Sequence, residues 1–137
     1  MTGNKAVEIV ESFWREVWQK QDPQAAARFV SEDFVITSGG VDVVGREAFI
    51  DWIGAFLAKI DDFDFASIET FQNADGTRVA SRWILEGKNN GFIGNRACGT
   101  PFKMLGTAVW EVRPDGQLGH NWVERNALEV QRELLAS

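Results

Sequence analysis

The stretch Phe63–Gly87, FDFASIETFQNADGTRVASRWILEG, decides how the chain folds. Its first nine residues alternate roughly every second position, the period of a strand. Asn73-Ala74-Asp75-Gly76 is turn chemistry. Thr77–Gly87 then reads as a second, longer strand, so the pair forms an antiparallel hairpin. The chain changes character here: mostly helical in period before it, mostly extended after it.

Upstream, apolar residues fall at Ala6, Val10, Phe13, Trp14, Val17 and Trp18, the stripe of an amphipathic helix over 5–20. Asp22-Pro23 reads as an N-cap with Pro at the first helical position of a short second helix. DFVITSGG and VDVV read as short extended pieces. Gly45-Arg46-Glu47 opens a third helix with Phe49, Trp52, Ile53, Phe56 and Ile60 on one side, and Asp61, Asp62 and Asp64 read as its solvated exit. Downstream, KNNGFIGNRACG reads as a loop, FKMLGTAVWEV as a strand, RPDGQ as a turn and LGHNWVE as a last strand. ALEVQRELLA closes the chain as a helix, with Asn126 and Glu129 spaced as a capping box. The expected class is α+β, with helices covering one face of a curved sheet, in a single domain over residues 1–137.

Composition narrows the function. The chain has 137 residues, of which 45% are apolar and 25% charged, an ordinary globular balance. Six Trp and ten Phe occur without one Tyr, which fits a large dry core or an apolar pocket. A net charge of −6 argues against a nucleic-acid partner. No apolar run approaches the ~18 residues of a membrane span, and the N-terminus has no secretory apolar region. The expectation is a cytoplasmic protein. One Cys and one His cannot build a zinc site, and no metal is expected.

Strand alternation sorts side chains into faces. In the hairpin's second strand, Val79, Ser81, Trp83 and Leu85 form the more apolar list and should face inward. Arg82 and Glu86 should point out, as a solvated or interface pair. In the next strand Met104, Gly106, Ala108 and Trp110 carry no charge and should also face inward, with Gly106 and Ala108 leaving room for a ligand. In the last strand polarity does not choose between Asn121, Val123, Arg125 and His120, Trp122, Glu124.

Several phrases resemble the NTF2-like superfamily, and within it the SnoaL-like polyketide cyclase (ester cyclase-like) group. They are FWREVWQKQDPQAAARFVSEDFV, GREAFIDWIGAF, RVASRWILEG, GFIGNRACGTPF and PDGQLGHNWVERNAL, which together cover nearly the whole chain. The resemblance implies a cystatin-like cone, in which a curved, mixed sheet wraps over the N-terminal helices and leaves an apolar cavity. It also implies a homodimer through the outer sheet face. It places Asn121, Val123 and Arg125 inside, and His120, Trp122 and Glu124 outside.

The same resemblance identifies where relatives keep their acids and bases. The positions matching the ketosteroid isomerase donor, base and protonated acid are Trp14, Ser38 and Ala108, none of which can do that work. The Asp that cyclases and epoxide hydrolases place on the last strand corresponds to Val123. What remains is Arg125, able to hold a carboxylate or enolate oxygen in bidentate fashion, and Asn121, able to donate to a carbonyl oxygen. Ser81 and a hydroxyl at the mouth, Thr37 or Ser38, accompany them.

The expected pocket is lined by Trp14, Trp18, Ser38, Trp52, Phe56, Ser81, Trp83, Met104, Ala108, Trp110 and Val123. The Trp14 and Trp18 stripe reads as core before it reads as a cavity wall, the wall reading being raised by Trp83 and Trp110 at inward positions. His120 reads as an outer-face residue rather than a base. Cys98, in the Gly-rich stretch, has no visible third partner for a thiolate site. The resemblance implies a cofactor-independent enzyme, cyclase- or hydroxylase-like, acting on a small polycyclic or polyketide-like carbonyl compound. In the hydroxylase case the substrate's own enolate would react with oxygen. The alternative is a protein that binds a small apolar molecule in the same cavity without chemistry.

Overall fold

The computed structural model describes residues 4–93 and 97–136, without the side chains of Ala97 and Cys98. Helix α1 (Lys5–Phe13) runs directly into a π-helical segment, Trp14–Gln19. Every residue of the apolar stripe, from Ala6 to Trp18, is buried. Lys20 N and Asp22 N reach back five residues, to Arg15 O at 3.1 Å and Val17 O at 2.9 Å. That is the wide turn that π-helical stretches insert, often at functional sites. Pro23–Arg28 is a 3₁₀ turn with Pro at its start, but Asp22 makes no side-chain cap bond.

Strands β1 (Val30–Ser38) and β2 (Val41–Val44) form a hairpin around Gly39-Gly40. Both glycines have positive φ, 59° and 80°, as a two-residue turn matching strand twist requires. Helix α2 (Arg46–Ala58) buries Phe49, Ile50, Ile53 and Phe56. Four long strands follow: β3 (Ile60–Gln72), β4 (Arg78–Asn90), β5 (Ala97–Val112) and β6 (Leu118–Arg125). Helix α3 (Ala127–Ala136) closes the described chain against β5.

The sheet order is β2-β1-β6-β5-β4-β3. All pairs are antiparallel except β1 with β6, which are parallel and place Ile36 beside Asn121 and Ser38 beside Val123. Register shifts interrupt β3–β4, β4–β5 and β5–β6, and such bulges bend strands and raise their twist. The result is a mixed, curved α+β sheet with α1 and α2 in its hollow. One ion pair pins β1 to the β5–β6 turn: Arg113 Nη1 lies 2.8 Å from Asp33 Oδ1. Its hydrogen bonds hold the Asp33 carboxyl down to about 2.

Four local expectations change. Residues 88–90 and 97–99, expected in a loop, are strand: β4 runs to Asn90, β5 starts at Ala97, and these two residues pair. The Asn89 Oδ1 accepts from Phe92 N at 2.8 Å and Ile93 N at 3.2 Å, so an Asn-rich phrase makes a hairpin tip. Ile60 and Asp61–Asp64 belong to β3 rather than a helix exit, and Asp62 pairs with Lys88 at 3.0 Å. Arg82 pairs across the sheet with Glu69 at 2.9 Å, and Glu86 with Lys103 at 3.7 Å, not with each other. Four residues along a strand are about 13 Å apart, too far for a direct pair.

The fourth is Asn126. Its Oδ1 accepts from Leu105 N at 2.9 Å, and its own N–H donates to Leu105 O at 3.1 Å. The side chain therefore lengthens the β5–β6 ladder by one rung instead of closing a box with Glu129. Its carbonyl still takes the first bond of α3, from Val130 N at 3.2 Å.

Candidate active site

Alternation along β6 splits the polar run at its end. Asn121 and Val123 are buried, and Arg125 half-buried, on the concave side; Trp122 and Glu124 are exposed on the convex side. His120 is half-buried on that outer side. Its ring stacks on Trp122 with centroids 3.9 Å apart, and its Nε2 lies 2.9 Å from Thr37 Oγ1. Thr37 in turn donates to Asp42 Oδ1 at 2.5 Å. Of the two mouth hydroxyls considered, Thr37 is thus engaged outside, whereas Ser38 lines the concave cleft.

The cleft lies between the helices and the inner face of the sheet. Trp14 and Trp18 come from the π-helical segment, and Phe49, Trp52 and Phe56 from α2. The sheet supplies Ile36, Ser38, Phe65, Trp83, Leu85, Asn121, Val123 and Arg125. Four expected members are not in this wall: Ser81, Met104, Ala108 and Trp110 are fully buried behind it. Trp110 packs instead on Phe13 and Trp14, at 4.9 and 5.5 Å between centroids. Ile36, Phe49, Phe65 and Leu85 join the wall unforeseen. Leu85 was on the inward list, and sorting β1 and β3 by alternation would have found Ile36 and Phe65.

The wall is crowded. Space between its sides, open solvent at the mouth included, amounts to about 430 Å³, yet only about 30 Å³ of it stands a water's radius clear of every atom. That holds roughly two waters. One cause is Trp83, whose indole lies flat on Gly106. A Cβ at Gly106 would sit 2.1 Å from Trp83 Cζ2. The room expected at Gly106 is therefore taken by protein. A second hollow of about 200 Å³, bounded by Ala55, Lys59 and Phe92, lies immediately outside. Trp52, Phe56 and Arg125 border both hollows and form the partition between them.

Ser81 has a supporting part. Trp14 Nε1 donates to Ser81 Oγ at 2.9 Å, and Ser81 meets Thr70 Oγ1 at 2.9 Å. Thr70 donates to Glu11 Oε2 at 2.5 Å, and Ser67 to the same oxygen at 2.8 Å. This chain fixes the Trp14 ring in the wall.

Other polar atoms of the wall are unpaired. Asn121 is 3% exposed, and its Oδ1 has no hydrogen-bond partner; nor has Trp83 Nε1. Leaving such groups unpaired costs about 1–3 kcal/mol each, so each calls for an explanation. Arg125 is the only ionisable side chain among the described lining residues of the inner cleft. Its Cζ lies 5.2 Å from the Phe56 ring centre and 6.0 Å from that of Phe92, and Nη1 is 3.9 Å from Met104 Sδ. Among the described residues no carboxylate offsets its charge, and burial alone pushes its pKa down. Among the described residues, no group of three His, Cys, Asp or Glu side chains is placed to hold a metal.

A family model described as a SnoaL-like domain matches residues 10–120. Curated proteins give no match. Among solved structures, a candidate SnoaL-like polyketide cyclase from Jannaschia sp. CCS1 is 18% identical, with a TM-score of 0.87 over 97% of this chain and 93% of that one. A candidate polyketide cyclase from Acidithiobacillus ferrooxidans is 21% identical, with a TM-score of 0.80 over 99% and 98%. A candidate hydroxylase from Streptomyces galilaeus is 14% identical, with a TM-score of 0.82 over 99% of both chains. At these identities the likeness is one of fold.

Proposed function

The chain belongs to the SnoaL-like domain family, of the NTF2-like fold, and from that premise we propose that its cleft carries out a cofactor-independent, cyclase-like reaction on a small carbonyl compound. The observation that supports this most is the buried, unpartnered Asn121 amide in an otherwise apolar wall. Its amide can turn to present Nδ2–H to a substrate oxygen.

The described residues of the wall offer no acid or base, which favours a reaction whose protons move within the substrate. An intramolecular aldol closure meets that condition. The enol carbon bonds to the carbonyl carbon, and the C=O π pair passes to oxygen. The enol O–H proton ends on the new alkoxide, so the product is an isomer of the substrate. Asn121 stabilises the oxygen as charge develops, and the aromatic wall folds the chain of the substrate and keeps water out. Ligand entry requires the Phe56–Arg125 partition to swing aside and join the two hollows. Asn121→Ala should lower ring closure of a synthetic aromatic diketone by about 10²-fold with the fold intact. Full activity in this variant would sink the reading.

The lack of any acid or base in the described lining also favours a second reading, a carrier that binds an apolar molecule unchanged. Native mass spectrometry after incubation with the diketone separates the two only when coupled to chromatography of the released ligand: recovered starting material supports the carrier, and isomer supports catalysis. In either reading the convex face, with Ile68, Phe71, Leu105, Val109 and Trp122 all exposed, is covered by a second copy of the chain. Apolar exposure on this scale marks an interaction surface.

A further inference from the structure

Resting on that reading of the cleft, the geometry points to a ligand with two polar ends, one of them a permanent anion: an elongated aromatic or alicyclic acid whose carbonyl or hydroxyl enters first and whose carboxylate stays at the mouth against Arg125. The argument begins with β6. Asn121 and Arg125 share one face but stand four residues, about 13 Å, apart. Register fixes which way each looks. Asn121 lies opposite Trp110, deep in the sheet, and Arg125 lies opposite Gly106. The guanidinium leans towards Met104, two residues further from Asn121 along β5, and over the rings of Phe56 and Phe92 at the partition. The two groups therefore mark opposite ends of the site and cannot serve one oxygen.

Each end has its own unfilled need. At the inner end Asn121 Oδ1 is buried without a partner; as it stands it takes a ligand hydroxyl, and with the amide turned over Nδ2–H takes a carbonyl. At the outer end a guanidinium is held by ring faces and a thioether, with no carboxylate among the described residues to balance it. Aromatic faces attract a cation weakly compared with a bidentate carboxylate, so an acid can draw Arg125 away from Phe56. The same movement opens the partition between the two hollows, which admits the apolar body between Asn121 and the mouth. Arg125 is then a specificity residue for the acid, not a partner of Asn121 in stabilising the reacting oxygen.

Isothermal titration with 6-acetyl-2-naphthoate and its methyl ester tests this, since the pair differs in the charge at one end. The wild-type protein should bind the acid at least about 10-fold tighter than the ester. Arg125→Met should level the two by weakening the acid alone, Arg125→Lys should keep part of the preference, and Asn121→Leu should weaken both alike. Equal affinities in the wild type would overturn the inference and leave the cleft reading standing. A preference that survives Arg125→Met would transfer the anion contact to Lys59, at the outer hollow, and overturn it as well. Failure of both probes to bind would remove the inference together with the reading it rests on.

Discussion

Arg125 is costly where it stands: partly buried, flanked by Phe56, Phe92 and Met104, and unanswered by any acid among the described residues. A side chain kept for stability would not look like this. Arg125→Met fills similar space without the charge, and replacing poorly compensated buried ions by apolar groups is neutral or stabilising by about 1 kcal/mol or more. Urea denaturation should therefore show Arg125→Met as stable as the parent or more so, while its preference for an acid is lost. A loss of several kcal/mol would mean that the guanidinium holds the fold together instead. The faces of Asn121, Val123 and Arg125 were legible because relatives share the strand; polarity alone did not choose between the two lists of β6.

Gly106 and Trp83 show where strand alternation stops being enough. Both were assigned inward, and both are inward. Which of them occupies the space between them depends on the Trp83 rotamer, which alternation does not encode. With Trp83 Cζ2 2.1 Å from where a Cβ would stand, Gly106→Ala should destabilise the protein by about 1–3 kcal/mol through overpacking. In Trp83→Leu the same change should cost much less, a coupling readable from a double-mutant cycle. Additive losses would show that Trp83 does not rest on Gly106 in solution. The strand residues Lys88–Asn90 were missed for a related reason. Asn and Gly read there as loop, yet β4 continues to Asn90 and the Asn89 side chain accepts from Phe92 N and Ile93 N beyond it.

At the scale of the molecule, the order of periods gave the architecture: a helical stripe, a short hairpin, a helix, then long strands. The parallel seam between β1 and β6 has no local signal, because it joins residues about 85 positions apart through packing alone. Yet that seam builds the site, setting Ile36 and Ser38 beside Asn121 and Val123. The convex face is the other large-scale feature. If a second copy covers it, light scattering during size exclusion should give twice the chain mass. A Phe71→Glu/Trp122→Glu variant should fall to the monomer with its cleft intact. A monomeric parent would leave those side chains in water and refute the pairing.

The claim on which the rest depends is that Asn121 polarises a carbonyl inside an apolar cleft. Infrared difference spectroscopy of bound 2-acetonaphthone, labelled with ¹³C at the carbonyl, reports that contact directly. In the wild-type protein the C=O stretch should lie below its value in a hydrocarbon solvent, and in Asn121→Leu it should return towards that value with the ligand still bound. An identical frequency in both proteins would contradict the account.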